Sequence, residues 1–100
     1  MDITVEELKS RLENGEKLHI IDVREPYEYE EFNIGAQLIP LGTLPQSLEQ
    51  IADLKEEEVI VHCRSGARSA TAKAFLESSG FRQVRNLEGG MMAWQARFGA

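Results

Sequence analysis

The chain carries one cysteine, Cys63, inside the stretch Val59-Ile60-Val61-His62-Cys63-Arg64-Ser65-Gly66-Ala67-Arg68-Ser69. A lone cysteine is most often a small buried hydrophobe. Arg64, Ser65, Gly66 and Arg68 are poor company for an apolar thiol, and nearby arginines lower a thiol pKa toward the nucleophilic thiolate. A group carried on that sulfur would accumulate negative charge. Gly66 permits a tight turn that points successive backbone N–H groups inward as an anion nest. Arg64 and Arg68 can add charge-assisted hydrogen bonds to an anionic donor or leaving group. His62 precedes the cysteine directly, and alternation along a strand turns its side chain to the other face, which argues against a Cys–His dyad. No histidine is needed as a base if the loop itself makes the thiolate. Cys63 to Arg68 is Cys-x4-Arg, one residue shorter than the Cys-x5-Arg loop of phosphate-handling cysteine enzymes. The smaller loop suits a single sulfur atom better than a tetrahedral phosphate.

The elements on either side explain how such a sulfur would be held. Glu58 to His62 reads as a central strand, rich in β-branched residues, and Ser69 to Ser79 as a helix ending at Gly80. The cysteine is thereby placed at the carboxyl end of a strand, facing the amino end of a helix. Open parallel sheets bind ligands at that end, and the unpaired N–H groups of a helix N-terminus favour negative charge there.

The rest of the chain repeats the alternation. Thr4-Val5-Glu6-Glu7 reads as a capping box opening a helix that Asn14-Gly15 ends, with Ile3-Thr4 as a short edge strand before it. Leu18 to Val23 is a strand; Asp22 and Arg24 close it as an ion pair or turn, or as charges sharing the sheet edge with Cys63. Glu25 to Phe32 reads as a short helix with Pro26 near its start, Tyr27 and Phe32 being core or lid residues. Leu38-Ile39 is a short strand, Pro45 to Ile51 a helix, Gln83 to Leu87 the last strand, and Met91 to Phe98 the last helix, with Met91, Met92 and Trp94 as core contacts. Strands alternating with helices over short links predict an α/β fold, an open, mostly parallel sheet with helices on both faces.

One hundred residues, 42% of them hydrophobic, fit one domain, 1–100. The apolar runs are too short for a membrane span, and the acidic N-terminus lacks the apolar run of a signal peptide. One cysteine excludes an internal disulfide and a Cys-x-x-Cys pair. With His19 and His62 as the only histidines, no structural metal site is expected. The formal net charge of −6 argues against general nucleic-acid binding. That charge is uneven: residues 1–50 sum to −7 and residues 51–100 to +1. A locally positive cysteine loop on an acidic protein suits a small anionic substrate. Lys73, Arg82 and Arg85 read as solvated surface charges, and a cytoplasmic protein is the default expectation.

Over nearly its full length the chain resembles the single-domain rhodanese-type sulfurtransferases. The resemblance is carried by Ile21-Asp22-Val23-Arg24-Glu25 with Tyr29, by Gly35-Ala36 leading to Ile39-Pro40, by Val59 through Ser69, and by Leu87-Glu88-Gly89-Gly90-Met91-Met92-Ala93-Trp94. It implies a five-stranded parallel sheet flanked by helices and a cysteine that carries persulfide sulfur. It also implies that the six-residue loop marks sulfur transfer, the related dual-specificity phosphatases having the seven-residue form. The chain departs from the family in one place: Glu31-Phe32-Asn33-Ile34 stands where Gly-His-Ile-Pro is usual, so Phe32 replaces the histidine.

By resemblance, Cys63 is the nucleophile, Arg64, Ser65, Gly66, Ala67 and Arg68 form the substrate cradle, and Asp22 and Arg24 support it from behind. Arg64 is the first choice for docking thiosulfate. Arg68 either joins it or holds the loop through local carbonyls or an acid such as Asp22. The implied partners are a small anionic sulfur donor and a thiol or sulfur-acceptor protein, with no cofactor. Three other classes stand beside this one: a sulfur-carrier or regulatory module with little turnover, a cysteine phosphatase or arsenate reductase, and a redox thiol sensor.

Overall fold

The computed structural model describes residues 1–99. The elements run α1 (Val5–Glu13), β1 (His19–Asp22), α2 (Pro26–Glu31), β2 (Gln37–Leu38), a 3₁₀ turn (Leu41–Thr43), α3 (Leu44–Ser47), a 3₁₀ segment (Leu48–Leu54), β3 (Glu58–His62), α4 (Ala67–Ser78), β4 (Gln83–Asn86) and α5 (Gly90–Phe98).

The four strands lie in the order β2-β1-β3-β4, and every pairing is parallel. Four strands form the sheet instead of five. The fifth place, beside β4, is taken by one parallel bridge between Ile3 and Leu87. The reason lies in the next residue. Thr4 is extended, and its hydroxyl accepts the Glu7 amide at 3.1 Å, so the chain is committed to α1 as soon as Ile3 has made its bridge. Only half of the capping box forms, because the Glu7 carboxylate turns to Arg85.

Alternation along the strands sends side chains to two apolar layers. Ile21, Val59, Val61, Cys63 and Val84 pack with Leu44, Ile51, Ala72 and Leu76 on one face. Ile20 and Ile60 pack with Val5, Leu8, Leu87, Met91 and Trp94 on the other. Helices α3 and α4 cover the first face, α1 and α5 the second, and β3 is buried on both sides from Val59 onward.

Three expectations shift. The segment expected to be a helix over Pro45 to Ile51 is one α-turn followed by 3₁₀ geometry to Leu54. Leu48, Ile51 and Leu54 recur every third residue, the period of a 3₁₀ helix. Helix α4 begins two residues early, at Ala67, because Gly66 takes a left-handed φ of 110° and serves as its N-cap. Met92 is 52% exposed, whereas Met91 and Trp94 are core residues as expected. Neighbouring residues on a helix point in different directions, so Met92 turns away from the face that buries Met91.

Candidate active site around Cys63

Strand β3 ends at His62, so Cys63 is the first residue beyond the central strand, where all four carboxyl ends meet. Its side chain remains on the α4 side and is 1% exposed. The burial expected of an ordinary core cysteine is therefore present, but the surroundings are polar. The Gly66 amide donates to Sγ at 3.1 Å, the Ser69 amide lies at 3.4 Å and the Ser69 hydroxyl at 3.3 Å. Burial pushes the thiol up. The Ser69 hydroxyl and the amides of Ser69, Gly66 and Ser65 outweigh it, and the net result lies below the ordinary cysteine value. The N-terminus of α4 and the turn before it thus form the anion nest that the glycine foreshadowed.

The turn is anchored from behind by α5. The Met91 amide donates to the Cys63 carbonyl and the Met92 amide to the Arg64 carbonyl, both at 2.9 Å. This close approach requires glycine at position 90. A Cβ there would lie 2.5 Å from the Cys63 carbonyl oxygen and 2.6 Å from that of Arg64, and its φ is +56°.

The two loop arginines separate. Arg64 is exposed and, among the described residues, has no carboxylate partner. It lines a cleft of about 450 Å³ together with Arg24, Tyr27, Phe32 and Met91. Arg68 sits in the first turn of α4 and grips Glu28 of α2, with Nη1–Oε1 2.7 Å and Nη2–Oε2 2.9 Å. Its acid is Glu28, not Asp22. Ala67 is exposed on the same turn.

Asp22 and Arg24 form a buried ion pair. The Arg24 Nη2 donates to Asp22 Oδ2 at 2.8 Å and to the Phe32 carbonyl at 2.8 Å. The Arg24 amide also donates to Asp22 Oδ1 at 3.0 Å. This pair fixes the turn after β1 and holds the end of α2 through the Phe32 carbonyl. Tyr29 completes that corner by donating to the Ala36 carbonyl at 2.8 Å. His62 points away from Cys63, into the opposite layer. It is fully buried, and neither ring nitrogen has a hydrogen-bond partner.

Two residues near the sulfur were not among the sequence candidates. Ser69 closes the motif stretch but read as the start of a helix. Asn86 ends β4, and its carboxamide bridges Ser69 and Gly66. The available signal was a polar residue at the carboxyl end of the strand next to β3. Among the described residues, no group of three His, Cys, Asp or Glu side chains is placed to hold a metal ion, and no helix is long and apolar enough to cross a membrane.

Comparison with known proteins gives a consistent match. The Rhodanese-like domain pattern matches residues 4–97. The putative sulfurtransferase YtwF of Bacillus subtilis is 40% identical over 95 residues, covering 94% of this chain and 89% of the relative. The probable adenylyltransferase/sulfurtransferase MoeZ of Mycobacterium tuberculosis is 43% identical over 94 residues, 92% of this chain, although the matched part spans only 24% of that protein's length. The crystal structure of a rhodanese-like domain protein from Staphylococcus aureus superposes with a TM-score of 0.84 at 38% identity, over 94% of this chain and 91% of that one.

Proposed function

The chain belongs to the rhodanese-like family, and on that premise we propose that residues 1–100 act as one sulfurtransferase domain working through a Cys63 persulfide. The observation that carries this reading is the convergence of the Gly66 and Ser69 amides on a buried Sγ, at 3.1 and 3.4 Å. Such a nest stabilises the thiolate that attacks. It also stabilises negative charge on a sulfur bonded to Sγ, and the short Cys-x4-Arg loop suits a single sulfur better than a phosphate.

The reaction runs in two displacements. The Cys63 thiolate attacks the outer sulfur of thiosulfate, or the sulfane sulfur of a persulfide. A new S–S bond forms at Sγ while the donor's S–S bond breaks, and sulfite or a thiolate departs with the electron pair. A thiol or cyanide acceptor, as its anion, then attacks the outer sulfur of the Cys63 persulfide, and the Cys63 thiolate leaves into the same nest. Arg64, exposed and lining the cleft, draws the anionic donor in. Arg68, committed to Glu28, holds α4 against α2 and so fixes the cradle. Asp22 and Arg24 set the floor of the cleft through Phe32. The partners are a small anionic sulfur donor and a thiol or acceptor protein.

Intact mass after thiosulfate treatment tests this directly. The wild-type chain should gain one sulfur atom, cyanide should remove it as thiocyanate, and Cys63→Ala should gain nothing. A wild-type chain that gains no sulfur from thiosulfate or from any organic persulfide overturns the reading. A persulfide that forms but that neither cyanide nor thiols discharge would place the chain with the carriers.

A further inference from the structure

Two of the groups that meet Cys63 Sγ share a single support. The Asn86 Nδ2 donates to the Gly66 carbonyl at 3.1 Å, and its Oδ1 lies 2.6 Å from the Ser69 hydroxyl. Gly66 and Ser69 are the residues whose amides contact the sulfur. The support is itself fixed. The Asn86 amide donates to Asp2 Oδ1 at 3.0 Å, and its carbonyl accepts from the Ile3 amide at 3.0 Å. Asp2 is in turn held by Lys73 of α4 at 2.7 Å. Asn86 is 8% exposed, and its carboxamide uses both of its ends.

The Ser69 hydroxyl has one proton and three acceptors within reach: Asn86 Oδ1 at 2.6 Å, Cys63 Sγ at 3.3 Å and the Gly66 carbonyl at 3.3 Å. An amide oxygen is a better acceptor than a neutral thiol, and it is the nearest of the three. While Cys63 is a thiol, the proton therefore goes to Asn86, and a hydroxyl lone pair faces the sulfur. A thiolate competes for that proton with a full charge. The hydroxyl can then turn from Asn86 to sulfur while the Asn86 Nδ2 keeps the Gly66 peptide in place.

We propose that Asn86 is a positioning residue for sulfur transfer, its carboxamide fixing both the Gly66 peptide and the direction of the Ser69 proton at Cys63 Sγ. The inference rests on the sulfurtransferase reading for its purpose, but not for its test. Among the described residues, Asn86 makes no hydrogen bond to Cys63 Sγ. It acts through Gly66 and Ser69, so its effect must depend on whether Ser69 has a proton to direct.

That dependence is measurable without any sulfur donor. Cys63 is alkylated with iodoacetamide across pH in wild type, Asn86→Leu, Ser69→Ala and the double variant, and the midpoint of the thiolate titration is read for each. Leucine keeps the branching and the heavy-atom count of the side chain, carries no charge and removes both contacts. The expected result is strong coupling: Ser69→Ala should change the thiolate fraction at fixed pH by a factor that differs at least about threefold between the wild-type and Asn86→Leu backgrounds. Kinetics with thiosulfate should show the Asn86→Leu loss mainly in kcat, since Arg64 and the donor's entry are untouched. Equal effects of Ser69→Ala in both backgrounds would overturn the proposal and reduce Asn86 to a prop of the fold. Thermal unfolding is followed in parallel. If Asn86→Leu does not fold, Asn86→Ala, which also removes both carboxamide contacts, replaces it with the same expected coupling. Failure of wild type to take up sulfur would refute the sulfurtransferase reading while leaving the alkylation cycle interpretable.

Discussion

Arg68 and Glu28 are joined end to end, two nitrogens to two oxygens at 2.7 and 2.9 Å, across the gap between the first turn of α4 and helix α2. The cationic residue at the close of the Cys-x4-Arg loop is thereby a clamp between elements. The same carboxylate accepts the Glu25 amide at 2.9 Å, so it also caps α2. The Arg68 hydrogen bonds, working against burial, hold the Glu28 carboxyl at about 2. A carboxylate whose folded pKa lies below its unfolded value stabilises the fold above the unfolded value, and that stability is lost as pH falls through the folded one. The window here opens near 4.5 and closes near 2. Glu28→Gln keeps an oxygen for the Glu25 amide but loses the ion pair. It should be about 1 kcal/mol less stable near neutrality. Urea unfolding of wild type should lose that advantage between about pH 4.5 and 2, where the variant should stay comparatively flat. Parallel pH profiles would show that the clamp contributes nothing.

The contrast between the two arginines marks how far the sequence could be read. That a sulfur would sit at the carboxyl end of a central strand followed from an apolar β-branched run meeting glycine and arginine, and β3 and α4 are where those residues put them. The division of labour between Arg64 and Arg68 was not legible. It depends on Glu28, which lies 40 positions away in the chain and reads locally as one of several acids in the first turns of α2. The role of Asn86 was hidden for the same reason, since β4 meets the loop only in the assembled sheet. The fifth strand failed because a local signal, the Thr4 cap, overrode pairing along the sheet edge after one bridge. The 3₁₀ geometry of Leu48–Leu54 was present in the threefold spacing of its apolar residues, although the same leucines also fit a helical face.

Arg64, exposed and without a carboxylate partner among the described residues, should carry the donor's charge. Arg64→Ala is expected to raise the thiosulfate KM by about threefold to tenfold at low ionic strength, a modest loss proper to a solvated charge. The effect should shrink as salt screens the attraction. Initial rates at about 20 mM and about 0.5 M salt distinguish this from a packing defect, which would be indifferent to salt. Identical KM values for wild type and variant at both ionic strengths would remove Arg64 from the donor's path.

Gly90 and Gly15 allow backbone strain to be separated from steric exclusion. Both have positive φ, +56° and +80°, but Gly15 faces open space, whereas a Cβ on Gly90 would press on the carbonyls of Cys63 and Arg64. Gly15→Ala should cost about 1 kcal/mol, the usual penalty of a left-handed conformation. Gly90→Ala should cost about 3 kcal/mol or more, because the atoms in its way are backbone and cannot turn aside. It should also slow Cys63 alkylation, since the displaced carbonyls belong to the turn that aims the Gly66 amide. Chemical unfolding measures the first effect and iodoacetamide the second. Equal destabilisation by the two substitutions would mean that α5 yields and that the loop is not held from behind.

His62 supplies a second, separate pH window. Burial lowers its pKa in spite of the Asp22 carboxylate 3.7 Å away, and neither ring nitrogen is satisfied. A histidine that stays neutral in the fold but takes a proton when unfolded makes stability rise with pH. The unfolded chain binds more protons below its ordinary value near 6.5, so stability should fall as pH drops from there. One such group can contribute at most about 1.4 kcal/mol per pH unit. Between about pH 6.5 and 5 the carboxylates remain ionised, which isolates this residue from the Glu28 effect. His62→Leu leaves no buried polar atom unpaired at that place and should be at least as stable as wild type. Its unfolding free energy should be flat from about pH 7 to 5 while that of wild type slopes. Sulfur transfer should survive the substitution within about twofold, because the imidazole faces the layer opposite Cys63 and cannot serve as its base. A slope retained in the leucine variant would assign the proton to another group, and a flat wild-type profile would show that the imidazole takes a proton inside the fold, with Asp22 as the carboxylate close enough to hold it there.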